Sequence, residues 1–160
     1  RDEGVYKTPY EKKKKILQAY DWLTNEIKKN IKSKKIRNYN TSSIQGRVHQ
    51  KKDILSWEMI KKMYMNPKYI SPCHAGSLFG IITSNGKVYP CEILEDKLLG
   101  NLRDNQMNFM KIWNDKITKD TRDYILKSKC NCTYECALSY NILGNWRYQA
   151  SLASSMFNLD

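Results

Sequence analysis

The stretch that decides the fold reads CHAGSLFGIITSNGKVYPC, from Cys73 to Cys91. Within it, two short runs of strand-forming residues flank the turn residues Asn85-Gly86. Asn-Gly between two such runs is a strong signal for a β-hairpin. This hairpin would bring Cys73, which precedes the first strand, near Cys91, which follows the second. The sequence therefore predicts that the two thiols belong to one centre.

A second group of cysteines lies further along the chain, in the segment CNCTYEC that contains Cys130, Cys132 and Cys136. Cys130 and Cys132 would lie on the same side of an extended chain. Cys132 and Cys136 would lie one turn apart if a helix begins near Thr133, which is a good capping residue. The free amides of that helix would then face an anionic metal centre.

The cysteine count favours metal binding over disulfides. The chain has five cysteines in 160 residues, an odd number, and no amino-terminal segment of secretory type. Exported proteins that are held together by disulfides generally have an even number of cysteines. Metal ligation in a reducing compartment is therefore the better interpretation. With no apolar run near the length of a membrane span, we expect a cytoplasmic protein with no membrane partner.

Two helices are predicted before the first cysteine. Thr8-Pro9-Tyr10-Glu11 resembles a capping box and starts a helix that should run from about residue 9 to about residue 29. Its apolar stripe comprises Ile16, Tyr20, Leu23 and Ile27. Residues 30–50 are polar and predict a linker or surface loop. A second helix should follow, with Asp53 as its cap and Asn66-Pro67 as its stop.

Two short helices are predicted between the cysteine groups, at residues 107–113 and 117–128. Their expected buried positions are Ile112, Trp113, Ile117, Tyr124 and Ile125. Gly144-Asn145 should end a helix that starts after Cys132, and residues from Trp146 onward carry no motif that can be interpreted. Together these elements predict an α+β fold: a two-stranded antiparallel hairpin followed by short helices and preceded by one or two helices.

Almost all of the net charge of +12 lies in one part of the chain. Residues 1–70 hold 18 Lys and Arg against 7 Asp and Glu, whereas residues 71–160 hold 10 against 9. Lysine-rich runs are usually solvated helix faces, and aromatic residues do not alternate with them as a single-strand groove would need. A nucleic-acid partner is therefore not expected.

The cysteine pattern resembles a known family. Cys73, twelve residues, Gly86, four residues and Cys91, followed by a downstream cysteine group, are similar to the SPASM domain, or its shorter relative the twitch domain, of radical S-adenosylmethionine enzymes. The segment usually found between the two groups is matched by Gly100-Asn101-Leu102 and Ile112-Trp113. The resemblance covers residues 73 to about 145.

The resemblance implies an auxiliary iron-sulfur cluster. A full SPASM domain carries seven cysteines and usually two clusters, so the five cysteines here imply one four-iron, four-sulfur cluster held by four of them. Cys73 and Cys91 are the firmest ligands, and two of Cys130, Cys132 and Cys136 should complete the set. Such clusters relay electrons or position substrate, and a peptide or other small molecule is the implied substrate.

The catalytic motif of the same family is absent. Radical S-adenosylmethionine chemistry needs three cysteines, with three and then two residues between them. Cys132 and Cys136 have the first spacing, but Ser139 stands at the third position. We therefore expect no catalytic residue here and no cleavage of S-adenosylmethionine by this stretch alone. The first residue is Arg1 and not Met, which leaves open that the sequence is a piece of a longer protein. In that case the resemblance implies a partial (β/α) barrel upstream, and an electron donor as a further partner.

The domain organisation expected on this basis has three parts. Residues 1–70 are a basic helical segment, either the tail of such a barrel or a linker to it. Residues 71–146 are the iron-sulfur domain, and residues 147–160 are a carboxy-terminal tail.

Three other interpretations stay open. A structural zinc module with a basic, nucleic-acid-binding half would also use four cysteines, but zinc sites generally present closely paired cysteines at both ends, unlike Cys73 and Cys91. A cysteine nucleophile would need a base, and the nearest histidine, His74, is adjacent to Cys73. His49, the other histidine, is expected at the surface. The third interpretation is a core with incidental cysteines.

Overall fold

The computed structural model describes residues 9–32, 43–66 and 69–157, which form helices and one small antiparallel sheet. They divide into two compact units. One unit comprises the described residues up to Ser71 together with those from Cys132 onward, and the other is Pro72–Asn131. The predicted α+β class is confirmed. The predicted domain boundaries stay a prediction.

The first unit is helical. It contains α1 (Tyr10–Lys32), α2 (Ile44–Met65) and the two last helices of the chain, which are labelled α5 (Glu135–Leu143) and α6 (Trp146–Met156). Its core joins residues of α2, α5 and α6. The buried members are Trp57, Met59, Ile60, Met63, Leu138, Ile142 and Leu152. Tyr20 and Ile27 of α1 pack against this core, as the apolar stripe predicts, but Leu23 is exposed, so its predicted place in that stripe is wrong.

Helix α2 begins earlier than predicted. The loop expected at residues 30–50 is wrong from Ile44 onward, because Ser43 caps the helix by accepting a hydrogen bond of 3.0 Å from the Gly46 amide. Asp53 therefore lies within the helix. A polar residue in the helical turns before Asp53 makes tertiary contacts: Arg47 donates to the backbone carbonyls of Ser155 and Met156. The predicted stop is confirmed at Asn66, while Thr8 and Pro67 lie outside the described residues.

The chain after α5 also departs from the expectation. Gly144 ends α5 as predicted, but Asn145 then caps a further helix by accepting a hydrogen bond of 3.0 Å from the Arg147 amide. Helix α6, which no sequence motif predicted, buries Leu152 in the core of the first unit.

The second unit contains the predicted hairpin, extended by a third strand. β1 (Ile81–Ile82) pairs antiparallel with β2 (Lys87–Tyr89), which pairs antiparallel with β3 (Gly100–Asn101). The hairpin turn closes through a hydrogen bond of 2.8 Å from the Gly86 amide to the Thr83 carbonyl. Gly86 has a φ of +86°, and a Cβ there would lie 2.8 Å from the Asn101 side-chain oxygen. Glycine is needed at this position both for the backbone conformation and for the close approach of β3.

Two glycines let the sheet contact the helix that follows it. This helix, α3 (Phe109–Trp113), carries the Ile112-Trp113 pair. A Cβ on Gly100 would lie 3.1 Å from Ile112, and a Cβ on Gly80 would lie 2.9 Å from the Trp113 ring. The buried residues of this part are Val88, Leu99, Leu102 and Ile112. The segments Gly100-Asn101-Leu102 and Ile112-Trp113, which the sequence singles out, therefore pack against each other.

Helix α4 (Lys116–Lys127) completes the second unit, and both predicted short helices exist. Ile125 is buried as predicted, but Ile117 is 53% exposed, so that prediction is wrong. The inward face of α4 instead holds Thr118 and Thr121, whose hydroxyls donate to the carbonyls of Ile112 and Ile117. Each threonine buries a methyl group while its hydroxyl stays satisfied. Throughout residues 9–32, 43–66 and 69–157, no helix is long and apolar enough to span a bilayer.

Candidate metal centre

Three of the five cysteines pack around the same apolar residues. Cys73, Cys91 and Cys130 belong to one cluster in the second unit. Its other members are Ala75, Phe79, Leu94, Tyr124 and Ile125. The hairpin thus leads both Cys73 and Cys91 into the same small core, as the sequence predicts. We call these eight residues the three-cysteine cluster.

The loop after Cys73 folds back on itself before β1 begins. The Gly76 amide donates to the Phe79 carbonyl at 2.8 Å, and the Leu78 amide donates to the His74 carbonyl at 2.9 Å. Gly76 has a φ of +72°, which favours glycine. This tight return buries Ala75, two residues after Cys73, in the three-cysteine cluster.

Cys91 is the most buried of the five thiols, with 7% of its surface exposed. Burial raises its pKa above the ordinary value, and hydrogen bonds from the Ile93 and Leu94 amides partly offset the rise. The charge of Cys130 also raises this pKa, which is consistent with the packing of the two thiols in one cluster. Backbone amides that donate to sulfur stabilise its thiolate form, which is the form that binds a metal.

Cys130 is held by the end of α4. The Cys130 amide donates to the Ile125 carbonyl, and the Lys129 amide donates to the Leu126 carbonyl, both at 3.1 Å. Lys129 has a φ of +49°. Together these features form a Schellman motif, in which the residue after the left-handed position packs on the last turn of the helix. Cys130 accordingly packs in the same cluster as Ile125.

The other two cysteines belong to the first unit. Cys132 is half-buried and precedes α5, whereas Cys136 is exposed in the first turn of α5. The predicted cap at Thr133 is wrong, because the residue at the N-cap position is Tyr134, whose side chain makes no capping hydrogen bond. The neighbouring Glu135 is fixed instead by a hydrogen bond of 2.9 Å from the Trp57 indole nitrogen.

The two histidines lie in different surroundings. His49 is exposed on α2, as expected. His74 is half-buried with its Nε2 atom shielded from solvent, and burial lowers its pKa. An exposed His49 and a shielded His74 give no support to a cysteine nucleophile with a histidine base.

The donor atoms suit an iron-sulfur cluster chemically. All five cysteines are described, and none is in a disulfide. Within the described ranges, no three His, Cys, Asp or Glu side chains converge closely enough to share one metal ion. Thiolates in an apolar pocket with amide donors to sulfur are the features that hold and tune iron-sulfur clusters. The residues present therefore fit such a group.

Sequence patterns did not reveal the backbone amides at Cys91, the helix end that holds Cys130, or the hydrogen bonds that Arg122 donates to the Gly76 and Trp113 carbonyls. For the amides at Cys91, a turn directly after the cysteine is a usable signal, since the amides two and three residues on can then reach the sulfur. The helix end that holds Cys130 gives no such signal, because glycine and not lysine is typical of the left-handed position.

Comparison with family models matches residues 58–137, half of the chain, to SPASM, an iron-sulfur cluster-binding domain. The matched region begins within α2 and includes all five cysteines. No curated protein and no solved structure matches the chain.

Proposed function

The chain belongs to the SPASM family of iron-sulfur cluster-binding domains, and on that premise we propose that it is the auxiliary cluster domain of a radical S-adenosylmethionine enzyme. It holds one four-iron, four-sulfur cluster through four of its five cysteines. When bound, such a cluster accepts and donates single electrons at a potential that the protein tunes.

The packing of three thiols in one apolar cluster is the observation that carries this proposal. Cys73 and Cys91 are the first two ligands, because the hairpin brings both into the three-cysteine cluster. Two of Cys130, Cys132 and Cys136 complete the set. The position of Cys130 in the same cluster supports its inclusion. In this arrangement the Ile93 and Leu94 amides stabilise the Cys91 thiolate that carries one iron.

The domain acts as an electron relay or positions substrate, and the thiol count favours the relay. Five thiols suffice to saturate all four irons, whereas direct substrate binding needs an iron with an open position. The stretch does not cleave S-adenosylmethionine by itself, since Ser139 stands where the catalytic motif needs a cysteine. The implied partners are a radical S-adenosylmethionine barrel in the same parent chain, an electron donor, and a peptide or other small substrate.

We also propose a cytoplasmic location, because thiols that bind iron must stay reduced. We propose no nucleic-acid partner. The excess positive charge lies in residues 1–70, outside the segment that holds the cysteines.

The test is the metal and sulfide content of the full chain, purified without oxygen and reconstituted with iron and sulfide. We expect about four irons and four sulfides per chain, with broad absorption at about 400 nm that fades on reduction. One tightly held zinc without sulfide or colour would overturn the proposal and support the structural zinc module instead.

A further inference from the structure

Arg122 is a polar link between α4 and the loop that follows Cys73. Its Nε atom donates to the Gly76 carbonyl, and one terminal nitrogen donates to the Trp113 carbonyl at 2.8 Å. Its guanidinium carbon also lies 5.1 Å from the centre of the Trp113 ring. The side chain is therefore fixed at three points, although none of them is a carboxylate.

The position of Arg122 on α4 relates it to the three-cysteine cluster. It lies one turn before Ile125, so both residues are on the same face of α4. Ile125 packs in the three-cysteine cluster and accepts the hydrogen bond that fixes Cys130. Helix α4 thus fixes Cys130 through its end and the Cys73 loop through Arg122.

The Cys73 loop also contacts the residue before Cys91. A Cβ on Gly76 would lie 3.4 Å from the Pro90 side chain and 3.8 Å from the Arg122 side chain. Gly76 is therefore packed between Arg122 on one element and the neighbour of Cys91 on another. A shift of the Gly76 carbonyl would move the loop that carries Cys73 relative to Cys91.

From these contacts we infer that Arg122 is a positioning residue that sets the place of Cys73 relative to Cys91 and Cys130 and adds a positive charge next to the loop that carries Cys73. Within residues 9–32, 43–66 and 69–157, no carboxylate forms an ion pair with this guanidinium. Arginine stays protonated at any working pH. A cluster with four thiolate ligands is anionic, so the charge favours the loaded form and the reduced state.

This inference rests on the proposed function for its effect on a cluster, but positioning can be measured without metal. In the metal-free full chain, alkylation of Cys73 and Cys91 by iodoacetamide, followed by mass spectrometry, reports how well the loop is held. In Arg122→Gln we expect both thiols to react about tenfold faster, which corresponds to about 1.4 kcal/mol of lost positioning. Arg147→Gln is the matched control, since Arg147 also lies over a tryptophan ring, at 5.8 Å, but is exposed on α6.

Reconstituted protein gives the second readout. Arg122→Gln should load less than half of the wild-type iron and sulfide, and its cluster should have a more negative midpoint potential. Arg122→Lys keeps the charge but not the planar fork of donors. It should therefore keep the wild-type potential while its metal-free thiols still react faster, a combination that a merely structural role would not produce.

Two outcomes would distinguish a failure of the positioning role from a failure of the proposed function. Wild-type alkylation rates and a wild-type potential in Arg122→Gln would overturn the positioning role while leaving the cluster in place. Absence of iron and sulfide from the wild type would overturn the proposed function, and the alkylation rates would then decide the positioning role alone. If Arg122→Gln fails to fold, judged by far-ultraviolet circular dichroism, the Arg122→Lys rates decide the question.

Discussion

Replacing Lys129 with glycine should stabilise the protein, although it removes a side chain. Lys129 is the left-handed residue of the Schellman motif that holds Cys130, with a φ of +49°. This conformation costs residues with a Cβ roughly 1–2 kcal/mol, whereas it costs glycine almost nothing. Glycine also makes the unfolded chain more flexible, which offsets about 0.5–1 kcal/mol of the gain. The expected net effect of Lys129→Gly is a rise of about 0.5–1 kcal/mol in the free energy of unfolding.

The same substitution two residues earlier provides the control. Lys127 is the last residue of α4, is exposed and has only a long ion pair of 4.0 Å with Asp123. Glycine inside a helix costs about 0.8–1.0 kcal/mol relative to alanine, so Lys127→Gly should lower stability. The two variants remove the same charge and the same side chain. Apart from the long ion pair of Lys127, they differ in the backbone conformation at the substituted residue.

Thermal unfolding of the metal-free protein, followed by circular dichroism without oxygen, measures both effects. For a chain of this length, 1 kcal/mol shifts Tm by roughly 2–4 °C. Lys129→Gly should therefore melt about 1–4 °C higher than the wild type, and Lys127→Gly should melt lower. Equal shifts of the same sign in both variants would refute the assignment of a strained left-handed residue before Cys130.

The remaining predictions concern the cluster, the sheet and the basic segment. Cys91→Ala should abolish cluster loading and lower the Tm of the reconstituted protein, because metal binding is coupled to folding; unchanged iron content would remove Cys91 from the ligand set. Gly80→Ala should lower the free energy of unfolding by about 1–3 kcal/mol, because its Cβ would lie 2.9 Å from the Trp113 ring and 3.1 Å from the Tyr89 carbonyl. Trp113→Phe should cost less in the Gly80→Ala background than in the wild type, and strict additivity of the two melting shifts would contradict this contact. Generic DNA should bind weakly and with a steep salt dependence, as expected of lysines without base contacts; tight, sequence-selective binding in a filter assay would show that the basic segment has a specific nucleic-acid partner.

The hairpin was predictable because local chemistry decides it. Asn85-Gly86 permits the turn whatever surrounds it, and the apolar runs on both sides set the strands. The third strand was not predictable, because Gly100-Asn101 has no strand propensity of its own. It pairs with β2 because Gly100 lets the backbone approach Ile112 closely. That contact depends on residues far apart in sequence.

The errors at helix starts have a related cause. Ser43 is as good a cap as Asp53, but the turns after it are polar and show little apolar periodicity. They are helical because Arg47 bonds to carbonyls more than a hundred residues away, at Ser155 and Met156. The sequence predicts the cysteines as metal-binding residues, whereas Arg122 as a link between α4 and Gly76 could be recognised only from the folded chain.

The two units differ in how far apart their parts lie along the chain, and this has a consequence for the order of folding. The unit Pro72–Asn131 is continuous, so its contacts close short loops and we expect it to form before the helical unit. The helical unit joins α2 to α5 and α6 across that whole insertion, so its core cannot close until Leu138, Ile142 and Leu152 have been synthesised. Cys73, Cys91 and Cys130 would then pack together before α5, which carries Cys136, has packed into the helical core. A released chain that ends shortly after Cys130 should therefore already shield Cys91 from thiol reagents.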